Sequence, residues 1–194
     1  MTDYALSTNE LYGLALTDAP LGKYFGGVFV ADKTPIHIES YPKAFIVNTD
    51  PSDKPGEHWL GVWFNNEESV EFYDSYAMPP HYYSKDIQQF VRRPILQDIP
   101  WALQEYDSST CGDYALYFLM MRAKGYYIPT IMKQFKRHDY VNNDLKVVRH
   151  IKTFIKRKLF RSVAQGQNVK TRRENLRNRE PPLWMKMTHP ELYK

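Results

Sequence analysis

The stretch Gln104-Glu-Tyr-Asp-Ser-Ser-Thr-Cys-Gly-Asp-Tyr-Ala-Leu-Tyr-Phe-Leu-Met-Met121 holds Cys111, the only cysteine among 194 residues. Turn-forming residues at positions 107–110 precede the cysteine, and the sequence from Ala115 to Met121 is apolar almost all round, as in a buried helix. Gly125 then provides a stop for that helix. We therefore expect Cys111 in the first turn of a buried helix, where unpaired N–H groups and the positive end of the helix dipole favour a thiolate.

A nucleophilic cysteine needs a base and a group that orients the base, whereas a lone cysteine is usually a small buried apolar residue. Among the six histidines, His58 opens the run His-Trp-Leu-Gly-Val-Trp-Phe, which is typical of a strand. Positions 65–68 resemble a hairpin turn, and the run from Ser69 to Asp74 returns as a second strand. Antiparallel pairing would place His58 and Asp74 side by side. The alternative is a surface histidine that happens to lie beside a strand-end aspartate.

Gln104 is a third polar candidate, seven positions before Cys111. An amide at this distance can fold back over the loop and, with the backbone N–H of Cys111, donate to a developing oxyanion. On pattern alone, the simpler interpretation is a polar residue at the end of a short strand from Ile99 to Leu103.

Taken in order, these residues resemble the adenovirus-type (adenain-like) cysteine proteases, whose superfamily includes the proteases that process SUMO and other ubiquitin-like proteins. Ala44-Phe-Ile-Val-Asn-Thr49 resembles the strand before the family's histidine, and Gly56-Glu-His-Trp59 resembles its Gly-Val-His-Trp. Gln104-Glu-Tyr-Asp-Ser-Ser-Thr-Cys-Gly112 resembles its Gln-Gly-Pro-x-Ser-Ala-Ala-Cys-Gly, with equal spacing from Gln to Cys. The resemblance covers positions from about 7 to about 135, and its weight lies in the ordered set.

The resemblance implies that Cys111 is the nucleophile and that His58 is its acid–base partner. It also implies that Asp74 orients His58 and that Gln104 shapes the oxyanion hole. The sequence departs from the adenovirus enzymes in two ways, because they carry Glu where Asp74 stands and their hairpin is one residue longer. Asp is the choice of the ubiquitin-like-protein proteases, so a carboxylate is kept. These departures suggest a diverged viral, virophage or virus-like-transposon relative.

Two neighbours of the catalytic candidates are expected to support the substrate cleft. Trp59 would pack beside His58 and limit its access to water, although a plain core tryptophan is an equal alternative. Gly112 follows the nucleophile within the Cys-Gly pair of the resemblance.

The chain is expected to fold as one α+β protease domain over residues 1–163, with a mixed central β-sheet, packed helices and the nucleophilic cysteine at the N-terminus of a buried helix. The resemblance implies the adenain-like, papain-type cysteine protease fold. Ser7 and Glu10 have the spacing of a capping box at the start of a first helix. Residues 164–194 are predicted to be a basic, flexible tail.

Charge is distributed unevenly. Residues 1–130 carry 9 Lys and Arg against 17 Asp and Glu, for a net −8, whereas residues 131–180 carry 15 against 4, for a net +11. An amphipathic helix is predicted from Asp144 to Val163, with a buried stripe at Val148, Ile151, Ile155 and Leu159. Such a basic segment can bind nucleic acid by releasing counterions, and the alternative is a solubilising tail. The candidate contact residues are Lys146, Arg149, Lys152, Lys156, Arg157, Lys158, Arg161, Lys170, Arg172 and Arg173.

Several function classes find no support in the sequence. No apolar run reaches 18 residues, so we expect no membrane span. The single cysteine excludes an intramolecular disulfide and a cysteine-based zinc finger, and we expect no metal site. A reducing intracellular compartment would keep the thiol usable.

The predicted function is that of a cysteine endopeptidase, which needs no cofactor for its chemistry. The resemblance implies protein substrates, namely viral capsid and core precursors cut at glycine-containing sites during virion maturation, with DNA as an activator. It also implies a monomer located in the virion and in the nucleus or cytoplasm of the infected host cell. One alternative is a deSUMOylase or deubiquitinase that acts on ubiquitin-like conjugates. The other is a non-enzymatic nucleic-acid-binding capsid component in which Cys111 is merely buried.

Overall fold

A five-stranded mixed β-sheet forms the centre of the protein in the computed structural model, which describes residues 5–164. The strands, which follow one another in the sheet in chain order, are β1 (Phe25–Val30), β2 (Lys43–Asn48), β3 (Trp59–Phe64), β4 (Val70–Tyr73) and β5 (Ile95–Asp98). The outer pairs β1–β2 and β4–β5 are parallel, and the inner pairs β2–β3 and β3–β4 are antiparallel. The predicted α+β class and mixed sheet are confirmed.

Helices pack around this sheet. In the described part of the chain they are α1 (Thr8–Thr17), α2 (Ala19–Gly22), α3 (Lys85–Phe90), α4 (Cys111–Ala123), α5 (Ile128–Met132) and α6 (Tyr140–Ala164). The predicted capping box starts α1, because Glu10 N donates to Ser7 Oγ at 3.4 Å and Ser7 N donates to Glu10 Oε2 at 3.1 Å. Such reciprocal bonds satisfy N–H groups that the first turn of a helix leaves free.

The helix α4 lies near the sheet, and all of its first ten residues are buried. Gly61 on β3 allows this close packing, since an added Cβ there would lie 3.3 Å from the Ala115 carbonyl oxygen and 3.3 Å from Tyr73 Cβ. Gly125 ends the helix as the sequence predicts: its φ is +90°, and its N–H donates to the Arg122 carbonyl at 2.9 Å.

A buried ion pair fastens the far end of α4 to the hairpin of β3 and β4. Arg122 Nε donates to both carboxylate oxygens of Glu71, at 2.9 and 3.1 Å, and a second guanidinium nitrogen donates to Asn65 Oδ1 at 3.0 Å. The guanidinium also lies over the rings of Trp63 and Tyr127, with its carbon 5.0 and 4.4 Å from their centroids. The hydroxyl of Tyr73 donates to the same Glu71 carboxylate.

The strand predicted from Ile99 to Leu103 is wrong. The fifth strand lies earlier, at Ile95–Asp98, where it pairs in parallel with β4. Pro100 has no N–H to offer a ladder, and the N–H of Leu103 donates instead to the Ser75 carbonyl at 2.8 Å. The segment is therefore a loop, and its hydrogen bond holds Gln104 next to Ser75.

The amphipathic helix is longer than predicted and its buried stripe is rotated. Val147 and Ile151 are fully buried, whereas Val148 and Ile155 are only half-buried. The rotation follows from the start of the helix at Tyr140, because its first turns place polar Asn143 and Asp144 inward as well. The side chain of Leu159 lies outside the described residues.

Residues 165–194 lie outside the described part of the chain, so the domain and tail assignments stay predictions. The predicted nucleic-acid contacts Lys170, Arg172 and Arg173 fall in that segment, as does the predicted flexible tail apart from its first residue. Arg161 lies within α6, but its side chain is also outside the described residues.

Candidate functional site

The end of the β3–β4 hairpin brings His58 and Asp74 together. Gly61 pairs with Tyr73 in the ladder, so the residues just before β3 and just after β4 lie at the same end of the sheet. His58 Nε2 lies 2.7 Å from Asp74 Oδ1, and both side chains are buried. The hairpin argument from sequence therefore places these two side chains correctly, while their role in chemistry stays a prediction.

Four hydrogen bonds fix the carboxylate of Asp74. Oδ1 accepts from His58 and from the Tyr76 N–H at 3.0 Å, and Oδ2 accepts from the Met78 N–H at 2.8 Å and the Tyr83 hydroxyl at 2.7 Å. Burial pushes the pKa of Asp74 upward, but the bonds from His58, Tyr83 and the Tyr76 backbone outweigh it, so the pKa lies below its usual value. Asp74 is thus an ionised, immobile anchor for the imidazole.

The imidazole of His58 contacts Asp74 through Nε2 and also interacts with the Cys111 side chain. Burial lowers its pKa, but hydrogen bonds and charge interactions with Asp74 and Cys111 raise the pKa by more than burial lowers it, so that the pKa is about 9. Since Nε2 faces the carboxylate, Nδ1 is the ring nitrogen left for the sulfur. At neutral pH the ring therefore keeps both protons and presents a cation to the cysteine side chain.

Cys111 is the first residue of α4 and is only 7% exposed. The first turn closes through the N–H of Tyr114, which donates to the Thr110 carbonyl at 3.1 Å. The N–H groups of the residues before Tyr114 therefore have no acceptor inside the helix. These N–H groups and the sulfur meet at one helix end, which is the arrangement an oxyanion hole requires.

Gly112 gives the start of α4 room against Trp59. A Cβ at Gly112 would lie 3.3 Å from Trp59 Cδ1 and 3.4 Å from atoms of Leu6 and Leu11. The half-buried indole therefore packs directly on the helix beside the cysteine. Trp59 and Gly112 are thus packing partners, while their role in supporting a substrate cleft stays a prediction and the alternative of a plain core tryptophan stays open.

Gln104 is fixed at both ends of its amide. Its Oε1 accepts from Ser75 Oγ at 2.6 Å, and its Nε2 donates to the Ser108 carbonyl at 2.8 Å. An amide nitrogen carries two hydrogens, so one N–H remains after the bond to Ser108. Gln104 is thus bound to the loop that ends at Cys111, three residues beyond Ser108.

Sequence reasoning missed the second carboxylate behind this loop. Asp144 on α6 is 7% exposed, and its Oδ1 lies 3.0 Å from the Tyr114 hydroxyl. Burial raises the pKa of Asp144, and interactions with Ser108, Tyr114, the Glu105 backbone and Thr110 oppose that rise. Nothing local in the sequence could have shown this contact, because Asp144 is 30 positions beyond Tyr114.

Sequence reasoning also missed two aromatic residues around the pair of His58 and Asp74, namely Tyr76 and Tyr83. The Tyr76 ring lies on the imidazole, with centroids 4.9 Å apart and planes at 31°, and its hydroxyl donates to the Tyr106 carbonyl at 3.2 Å. Burial raises the pKa of Tyr76 to about 12, so it remains a neutral cover. The nearness of Tyr76 to the site could have been inferred from the hairpin, because Tyr76 follows Asp74 by two positions. Tyr83, whose hydroxyl donates to Asp74, comes from a separate loop.

The basic candidates on α6 do not form one face. Lys146, Arg149, Lys152, Lys156 and Arg157 are exposed, and Lys158 is half-buried. Lys146, Arg149 and Arg157 line one cavity, whereas the charge of Lys152 acts on Asp113 in the first turn of α4.

Comparisons with known proteins do not identify a family for the chain. A scan against protein-family models gives no match, and a search of curated proteins gives no significant similarity. Within residues 5–164, no helix combines the length and apolar character that crossing a membrane requires.

Proposed function

We propose that this protein is a cysteine endopeptidase. The observation that carries the proposal is the position of His58, which is buried, lies 2.7 Å from the Asp74 carboxylate, interacts with the Cys111 side chain and has a pKa raised to about 9. A histidine held as a cation beside a thiol favours the thiolate, which is the nucleophilic form. The Gln104 amide and the first N–H groups of α4 supply donors for an oxyanion.

The proposed reaction is acyl transfer through a thioester. The Cys111 thiolate attacks the scissile carbonyl carbon, and the carbonyl oxygen becomes an oxyanion that accepts from the Cys111 N–H and the Gln104 amide. As the C–N bond breaks, the proton on His58 passes to the leaving amine. Neutral His58 then takes a proton from water, whose oxygen attacks the thioester and releases the acid. The thiolate leaves, and the pair of thiolate and imidazolium is restored.

The finer assignments rest on the sequence resemblance. These are the adenain-like, papain-type fold with the nucleophile at a helix start, cleavage at glycine-containing sites, and capsid or core precursors as substrates in a virion or infected cell. Stimulation by DNA has additional support from the exposed cations of α6. A narrow cleft that admits only glycine would give the site preference a physical basis.

The decisive experiment compares the wild-type protein with Cys111→Ala on a mixture of peptides that contain Gly-x-Gly and Gly-Gly sites. Cleavage is followed by mass spectrometry with and without DNA. We expect cleavage by the wild type alone, with new termini at glycine-containing bonds. His58→Gln should lose activity similarly, whereas His81→Gln, on an exposed histidine outside the site, should not.

The same mixture tests the alternatives. A folded ubiquitin-like fusion that is cut when the short peptides are not would favour the deconjugating protease. No cleavage of either substrate, together with a Cys111 thiol that iodoacetamide does not alkylate in the folded protein, would refute an enzymatic role. The nucleic-acid-binding capsid component would then be the better interpretation.

A further inference from the structure

A second concave site lies between the C-terminal half of α4 and the middle of α6. It has a volume of about 410 Å³ and a floor that includes Tyr117 and Met120. The Tyr117 hydroxyl donates to Gln134 Oε1 at 3.0 Å, and its ring meets the edge of His150 with centroids 4.9 Å apart. The volume lies in the lower part of the range for small-molecule sites.

Four cations line this cavity: Lys124, which directly follows α4, and Lys146, Arg149 and Arg157 from α6. Among the described residues, none of the four forms an ion pair within 4 Å of a carboxylate, in contrast to Arg122 with Glu71. Like charges collected around one concavity repel one another, and a bound anion relieves that repulsion. Charge patterning along the sequence could not find this grouping, since Lys124 lies in the acidic part of the chain.

The pKa of His150 is affected by the charges around the cavity. Burial lowers its pKa first, and the nearby cations Lys124 and Arg157 lower it further. Asp18 acts in the opposite direction, but its carboxylate is already engaged as the cap of α2, where it accepts from the Leu21 N–H at 3.0 Å. At neutral pH the imidazole is uncharged and can donate one N–H to an anion.

We propose that this cavity binds a phosphate group of a multiply charged ligand. The guanidinium groups of Arg149 and Arg157 offer paired donors that match phosphate oxygens, and Lys124 and Lys146 add point charges. The phosphate comes from a free polyphosphate or from a nucleic-acid backbone. Lys124 lies 13 positions after Cys111, at the end of α4, or about 20 Å away at 1.5 Å per residue. The site is therefore distinct from the candidate peptidase site and does not depend on peptidase activity.

The test is isothermal titration calorimetry of the full chain with inorganic tripolyphosphate at low salt. The pocket variant is Lys124→Ala with Arg149→Ala, and the matched control is Lys152→Ala with Lys156→Ala, which removes the same charge from α6 residues that do not line the cavity. We expect one site per chain, with affinity reduced at least about tenfold in the pocket variant, because each charge-assisted bond contributes about one factor of ten or more. The control should bind nearly as the wild type does.

Competition with a short DNA duplex separates the two sources. Displacement of the duplex by tripolyphosphate assigns the cavity to nucleic-acid phosphates, and simultaneous binding of both assigns it to a free polyphosphate. The proposal is overturned if no heat of binding is measured, or if the pocket and control variants lose equal affinity. Equal loss would mean that only the net charge of the protein matters, and not the cavity.

Discussion

At the residue scale, the proton on His58 is the feature of the structure on which the proposed reaction depends. Loss of this proton would remove the positive charge that the ring presents to the Asp74 carboxylate and to the Cys111 side chain. This is why its pKa rises to about 9 despite burial, which alone would lower it. The site therefore holds an acid at neutral pH, which under the proposed function would protonate the leaving amine.

We expect peptide cleavage to fall as pH rises through about 9, because His58 then loses the proton needed by the leaving amine. The C2–H resonance of His58, assigned with His58→Gln, should titrate near the same pH. Asp74→Asn should lower this midpoint, since burial remains while the carboxylate is gone. A midpoint near the ordinary 6.5 in the wild type would contradict the geometry.

The same pKa has a consequence for stability. The folded-state pKa of His58 is raised above its unfolded value, so its stabilising contribution is complete below about 6.5 and is lost as pH rises through about 9. Urea unfolding at pH 6 and pH 10 should show this loss in the wild type. In His58→Gln the difference between the two pH values should be smaller, and an unchanged difference would count against the assignment.

At the element scale, two fastenings hold α4 in place: Arg122 with Glu71 near its end, and Asp144 with the loop before its start. Glu71 is only 1% exposed. Removing one partner of such a pair leaves an uncompensated buried charge.

Glu71→Ala should therefore destabilise the fold by about 3 kcal/mol. The measurement is urea unfolding, with Lys54→Met as the control, because the Lys54–Asp50 pair is solvent-exposed on the lysine side and should contribute less than about 1 kcal/mol. The double variant Glu71→Ala with Arg122→Met should recover part of the loss. Equal effects of Glu71→Ala and Lys54→Met would show that the buried pair is dispensable.

Asp144 is expected to act on rate by positioning the loop of residues 105–110. Asp144→Ala should reduce kcat about tenfold to a hundredfold with a smaller change in KM, because a small displacement of the nucleophile weakens reaction geometry more than binding. Asp144→Asn keeps acceptor oxygen and should recover much of kcat. If both variants alter only the melting temperature, Asp144 is a structural residue and not a positioning one.

Contacts within one supersecondary element could be predicted from sequence, and contacts between distant elements could not. His58 meets Asp74 because a hairpin joins them, and the start of α4 at Cys111 follows from local composition. In contrast, Asp144 contacts the loop before α4 only through the docking of α6. The fifth strand is predicted at the wrong position for a similar reason. Its position depends on parallel pairing with β4, which is a long-range contact, and the apolar content of residues 99–103 does not indicate that contact.

At the scale of the whole molecule, the sheet has one edge at β5 with exposed apolar side chains. Ile95 is 38% and Leu96 is 60% exposed, and a groove beside them is lined by Trp101 and Met132. Unpaired strand edges with apolar residues are sites of association. The expected monomer should therefore hold at low concentration only.

We expect light scattering coupled to size-exclusion chromatography to show self-association at high protein concentration. Leu96→Lys should remove it, because a charge at a strand edge opposes pairing with another chain. The melting temperature should stay nearly unchanged, since Leu96 is outside the core. Glu57→Lys, an exposed change far from β5, serves as control. Persistent association in Leu96→Lys would place the contact elsewhere.

The spacing of the three candidate catalytic side chains also sets an order of assembly during folding. His58 and Asp74 are 16 positions apart within a hairpin, and hairpins form in roughly 1–10 μs. Cys111 joins them only after a much longer loop closes, at a larger entropic cost. A nascent or partly folded chain therefore carries its acid–base pair before its sulfur arrives. Such a chain would have an ordinary thiol and no peptidase activity, which would protect it from cutting itself while it folds.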